Sequence, residues 1–418
     1  MAWASDQRSR LQGLVRVQGS GQHSHMRTYL PLRGRYAGLV LGTFAGLAQA
    51  TAAAVAGQEL PLARTDQDRW ADVISASRGK LDSLRRAMAI PGLSISVSVD
   101  RRVVWSEGMG YADLELRSPA TSLTRYRIGS VSKILTAAGA ALLHQRGELD
   151  LDAPVQEYLP SFPRKPEGEI STRLLAGHLA GIRHYEDIEA EYYLTRRYET
   201  VFEALEIFRD DPLVATPGTG FSYSSYGFNL MSAVIAAASG RGFLQYLDEE
   251  VFRPLGMLHT GGDHTDSLVV NRARPYDRAA DGRLINARHI DNSHKWAGGG
   301  FLSTTEDLLR FAHAHLEPGL FGPETLELLW TPQRTASGEE IGVGIGWRLF
   351  PPAMQGGHRA VGHAGGAIGG NALLLIYPDD GVAVAVAANI ADVGYPQGGG
   401  LVFGDVIFEI ANLFIEAH

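Results

Sequence analysis

Apolar residues recur at three- and four-residue intervals among polar ones over residues 70–89, which predicts an amphipathic helix, and Pro91-Gly92 ends it. Leu93, Ile95, Val97 and Val99 then alternate with serines, a period of two that predicts a strand with one buried face. Asp100-Arg101-Arg102 turns the chain, and residues 103–107 return as a second strand. The apolar run over residues 134–143 predicts a buried helix, and further helices are predicted over 202–208, 228–238 and 243–252. From about Gly342 the period returns to two. Strands are predicted over 345–350, 372–377 and 382–388, the last two joined by a tight turn at Asp379-Asp380-Gly381. A strongly apolar helix over 401–416 closes the chain. Strands at both ends with helices between predict an α/β (α+β) architecture. One antiparallel sheet flanked by helices is drawn from about 58–125 and 335–418, and a mainly helical subdomain, about 126–334, is inserted in it.

Composition adds the compartment. The 418 residues are 45% hydrophobic and 20% charged, ordinary for a soluble globular protein, with a net charge of −8. Residues 1–50 carry six arginines and one acid, +5, which leaves −13 for the remainder and argues against nucleic acid as a partner. Within residues 26–50, Arg27, Arg33 and Arg35 form a basic start, residues 36–47 are mostly apolar, and Ala48-Gln49-Ala50 fits a small-x-small cleavage site. This layout predicts an export signal within a leader and linker over 1–57, giving a periplasmic or secreted protein with no stable membrane span after cleavage. The Arg-rich, acid-poor character keeps an organelle transit peptide as the alternative, and an uncleaved anchor comes third. The chain has no cysteine, which excludes disulfides, thiolate catalysis and cysteine-based zinc sites. Its histidines show no zinc spacing, and no cofactor or metal is expected.

Three stretches carry candidate chemistry. Of the four lysines (Lys80, Lys133, Lys165, Lys295), two complete a Ser-x-x-Lys. Ser77-Arg78-Gly79-Lys80 lies in the polar helix pattern and reads as a solvated face. Ser130-Val131-Ser132-Lys133 opens the buried helix. There the serine meets free N–H groups and the positive end of the helix dipole, and Lys133 lies one turn on, on the same face. Unprotonated, Lys133 accepts the serine proton; protonated, it stabilises the alkoxide. The second stretch is Phe221-Ser222-Tyr223-Ser224-Ser225, where a cation beside Tyr223 would favour its phenolate as a proton acceptor. The third is Gly362-His363-Ala364-Gly365-Gly366, just before a predicted strand. Its small residues admit a substrate backbone, and the Gly366 N–H is placed to donate to an oxyanion.

In this order the three stretches resemble the serine β-lactamase and penicillin-binding-protein superfamily, in its class C-like branch. That branch is marked by Ser-x-x-Lys, Tyr-x-Asn and Lys- or His-x-Gly. The resemblance runs over about residues 70–415 and includes residues 174–182, Pro254-Leu255-Gly256-Met257 and Gly298-Gly299-Gly300-Phe301. It is closest to the mitochondrial serine β-lactamase-like proteins, on residues 181–185, 271–274 and 291–300. The resemblance implies a β-lactamase/DD-peptidase-like fold. It makes Ser130 the nucleophile, gives the proton traffic to Lys133 and Tyr223, and builds the oxyanion hole from the Ser130 and Gly366 N–H groups. Ser225, His363, Ala364 and Gly365 then bind substrate, with His363 on the strand edge contacting substrate or Tyr223. One position departs from the pattern: Ser225 stands where the branch has asparagine, and a serine hydroxyl offers one donor where an amide offers two.

The implied activity is a serine hydrolase, a peptidase or esterase acting on a peptide or small molecule through a Ser130 acyl-enzyme. A class C-type β-lactamase or DD-peptidase is the alternative, and a non-hydrolytic sensor or assembly scaffold the alternative of another class. A homo-oligomer is compatible with all three.

Overall fold

Strands from the two ends of the chain meet in one sheet. The computed structural model describes residues 64–391 and 402–418, all within one unit spanning 58–418. The leader and its cleavage site lie outside the described residues. Helix α1 (Arg64–Ala87) leads into strands β1 (Gly92–Val99), β2 (Arg102–Asp113) and β3 (Ser118–Pro119). The C-terminal part supplies β4 (Arg348–Phe350), β5 (Ala360–Ala367), β6 (Gly370–Tyr377) and β7 (Val382–Ala388). The antiparallel order is β3-β2-β1-β7-β6-β5-β4, and the two halves join where Leu93 pairs with Ala388 and Val99 with Val382.

The sheet is buried on both faces. Val382, Val384 and Val386 of β7 face one core with Leu93, Ile95 and Val97, under α1 and the closing helix α5 (Val402–Glu416). Trp70 and Phe414 pack across that layer with tilted rings, their centroids 5.6 Å apart. Ala383, Ala385 and Ala387 face the other core, where small side chains let helix α4 (Thr305–Leu316) lie against β7 and β1. The expectation of one buried face on β1 is therefore corrected: Ser94, Ser96 and Ser98 are buried too. Burial without a partner is costly for a hydroxyl, and each has one. Ser94 bonds Tyr126, Ser96 bonds Thr305 at 2.8 Å, and Ser98 bonds His313 at 2.9 Å.

Between the two groups of strands lie helices α2 (Ser132–Gln145) and α3 (Ser225–Ser239), shorter helical turns, and small two- and three-stranded sheets. Two expectations about β structure change. Of residues 345–350 only Arg348–Phe350 is strand, because Gly346 takes φ +79° and its N–H turns away to Ala176 O. Conversely, residues 362–366, which precede the strand predicted over 372–377 as expected, also lie within a strand of their own, β5, paired to β6 from Val361↔Ile376 to Ala367↔Gly370. On α1, Ser77 is buried, not solvated, whereas Lys80 is exposed and pairs with Glu409 at 2.7 Å. No described helix is long and apolar enough to cross a membrane.

Candidate active site

Gly129–Val131 forms a 3-10 turn that runs straight into α2, so Ser130 sits at a helix start, where the Val131 N–H donates to Ile128 O and the Ser132 N–H to Gly129 O. Gly129 adopts φ +50°, a conformation that favours glycine, and Ser132 Oγ donates to Gly129 O at 2.7 Å, pinning the turn. Strand β5 packs directly on it. A Cβ on Gly129 would meet Gly366 O at 2.5 Å, and one on Gly365 would meet Ile128 O at 2.0 Å and Ser130 N at 2.7 Å. A Cβ on Gly366 would meet nothing within 4 Å. Gly365 therefore lets the strand close on the nucleophile turn, and Gly366 faces open space.

Lys133 is fully buried. Its Nζ donates to Ser130 Oγ at 3.0 Å, Ser225 Oγ at 3.1 Å and Gly298 O at 2.5 Å. Three oxygen acceptors complete the donors of an ammonium. Burial lowers its pKa, partly offset by the Tyr223 oxygen and reinforced by the Arg348 charge. The same approach explains the glycine at 298: a Cβ there would lie 2.9 Å from Ser225 O, so only a bare backbone fits beside the Ser225 turn.

Tyr223 OH donates to Ser130 Oγ at 2.8 Å. Burial alone would raise the phenol pKa, but the Lys133 charge and hydrogen bond, the Ser130 bond and Arg348 bring it below its ordinary value. Two histidines hold the Tyr223 loop. His178, at φ +59°, accepts the Ser222 N–H on its carbonyl and the Ser224 N–H on Nδ1, and its ring lies 4.4 Å from that of Tyr223. His184 Nδ1 accepts the Ser225 N–H at 3.2 Å. Ser224 then caps α3 by accepting the Gly227 N–H.

These groups open on a cleft of about 550 Å³ lined by Ser130, Tyr223, Ser225 and Gly366 together with His184, Tyr185, Tyr192 and Lys295. A second cleft of about 700 Å³, beside Arg197, Phe243 and Trp296, contains none of the candidate groups. His363, Ala364 and Gly365 do not line the catalytic cleft. His363 is buried, bonds Ala364 O through Nδ1 at 2.5 Å, and is held neutral by burial and the Lys133 charge, its pKa lowered to about 3. Residue patterning had given no role to His178, His184 or Lys295. The signal for Lys295 was its rarity, one of four lysines. It is buried with its Nζ 3.6 Å from the centre of the Tyr192 ring and 3.3 Å from Tyr192 O.

A family model described as Beta-lactamase matches residues 81–397. The human serine beta-lactamase-like protein LACTB, mitochondrial, is 33% identical over 427 residues, covering 78% of this chain and 78% of its own length. Among solved structures, the octameric penicillin-binding protein homologue from Pyrococcus abyssi is similar with a TM-score of 0.69 at 25% identity, covering 82% of this chain and 77% of its own. A D-stereospecific amidohydrolase from Streptomyces gives 0.63 at 25% identity, covering 75% and 94%.

Proposed function

The chain belongs to the β-lactamase family, and on that premise we propose that it is a peptidase or esterase that works through a Ser130 acyl-enzyme. The observation that carries this is the convergence of Lys133 Nζ and Tyr223 OH, at 3.0 and 2.8 Å, on one oxygen, Ser130 Oγ. One fewer proton on the Lys133–Tyr223 pair leaves a base, either a neutral amine or a phenolate, and both pKa values are pushed toward that state. The pair takes the Ser130 proton as Oγ attacks the substrate carbonyl carbon. The N–H groups of Ser130 and Gly366 then donate to the oxyanion that forms. As the tetrahedral intermediate collapses, the pair returns the proton to the leaving nitrogen or oxygen. Water attacks the ester, again losing its proton to the pair, and Ser130 is regenerated as the acid product leaves.

Two features favour peptides and esters over β-lactams. The strand-edge residue, His363, is held neutral by burial and the Lys133 charge, so it offers no fixed cation for a β-lactam carboxylate. Ser225 accepts from Lys133 on its hydroxyl oxygen and offers a single O–H donor where the branch's asparagine amide offers two. Each lost hydrogen bond to a charged group weakens binding by roughly 1.5–3 kcal/mol, so together the two changes lower β-lactam turnover by orders of magnitude. The test is kcat/KM for a p-nitrophenyl ester and a panel of short peptides against nitrocefin, with fluorophosphonate labelling of Ser130. Esters or peptides should be turned over and nitrocefin only slowly. A nitrocefin value near the diffusional ceiling with the others inert would establish the β-lactamase alternative, and absence of labelling the scaffold.

The destination follows the leader. The basic, acid-poor segment at 26–50 supports export or organelle import, and the mitochondrial name of the human relative supports the second. N-terminal sequencing of protein from its native host distinguishes the two. The octamer of the archaeal homologue suggests a homo-oligomer here as well, which light scattering checks.

A further inference from the structure

His184 stands at the cleft with one ring nitrogen used and one free. Its Nδ1 accepts the Ser225 N–H, while Nε2 has no hydrogen-bond partner among the described residues and is not sealed from solvent. Burial, then the Lys133 charge, lowers its pKa to about 4, so the ring is neutral at pH 7. A neutral imidazole with Nδ1 accepting carries its proton on Nε2. The ring is fixed from three sides: by the Ser225 backbone bond, by the Tyr185 ring at 4.4 Å and by the Tyr223 ring, edge-on at 5.4 Å. A donor held this way costs little ordering on binding. It also stands beside the tyrosine that reaches the nucleophile.

We propose that His184 is a specificity-determining residue whose Nε2–H donates to a second carbonyl oxygen of the substrate, apart from the scissile one, and so selects N-acylated substrates. This rests on the hydrolase reading above. A donor left facing a substrate without that oxygen goes unpaired in a partly buried cleft, which is what makes such a contact selective.

The test is a matched pair of p-nitrophenyl esters, N-acetylphenylalanine and 3-phenylpropionate, which differ by the acetamido group. The wild type should favour the first by about 10-fold in kcat/KM, the effect of one hydrogen bond worth ~1.4 kcal/mol. His184→Asn retains an oxygen near the Nδ1 position for the Ser225 N–H and removes the donor. Its ratio should fall toward one, mainly through KM. His184→Gln, which carries an N–H out near the Nε2 position, should keep most of the preference. The ratio is unmoved by any loss of folding or loop order common to both esters. A ratio unchanged in His184→Asn would overturn the assignment while leaving the hydrolase reading intact. Turnover of neither ester by the wild type would overturn both.

Discussion

Gly365 approaches the nucleophile turn so closely that a Cβ on it would lie 2.7 Å from Ser130 N. The backbone of one strand thus sets the position of Ser130. Gly365→Ala must push β5 away from Ile128 and Ser130, since both contacts are with backbone that has no side chain to swing aside. We expect a lower Tm, by the 1–3 kcal/mol typical of overpacking, and a kcat/KM loss of about 100-fold from misplacement. Gly366→Ala, one residue on, meets open space and should leave Tm unchanged. Thermal melts of the two variants side by side check this, and equal destabilisation would contradict it.

Ser130→Ala should abolish hydrolysis, by about 10³-fold or more, without unfolding the protein. Ser77→Ala removes a buried hydroxyl that has no hydrogen-bond partner among the described residues. Such a change is neutral or slightly stabilising. Ester kinetics and melting curves separate the two serines; a dead Ser77 variant beside an active Ser130 variant would reverse the assignment.

Tyr223→Phe keeps the ring against His178 and removes the 2.8 Å bond to Ser130. The expected result is a fall in kcat of about 10²-fold or more, with the fold intact. The pH–rate profile should also lose its dependence on the coupled Lys133–Tyr223 pair. A profile and kcat equal to wild type would assign the proton transfer to Lys133 alone.

Buried neutral histidines make the fold acid-sensitive. His294 and His363 are lowered to about 3, His313 and His315 to about 4, and His178 is also held well below its usual value, in each case by burial first. In the unfolded chain these rings protonate below about pH 6.5. The unfolded state therefore binds more protons between about pH 6.5 and 3–4. Stability is full above that window and falls as pH drops through it, each ring contributing up to about 1.4 kcal/mol per pH unit. Tm measured from pH 8 to 4 should decline below pH 6.5, and a flat profile would contradict the burial of these groups as neutral.

The sequence by itself determined that Ser130 and Lys133 meet, because they are one helical turn apart and local spacing suffices to join them; Tyr223, far along the chain, reaches Ser130 only through the tertiary fold. The sequence also determined the sheet's composition from both chain ends, through the return of a two-residue period after Gly342. Tertiary structure decided what period and spacing do not encode. The serines of β1 alternate as a solvent-facing edge would, yet α4, more than 200 residues away, covers them and supplies hydroxyl and imidazole partners. Residues 362–366 have no alternation to read, since glycine carries no side chain, and only the β6 ladder makes them a strand. The strand's register buries the His363 ring where the Lys133 and Arg348 charges act on it, a neighbourhood that no local pattern specifies. His184 and Lys295 reached the cleft through long-range packing, His184 against the Ser225 backbone and Lys295 against Tyr192, contacts that no local pattern specifies.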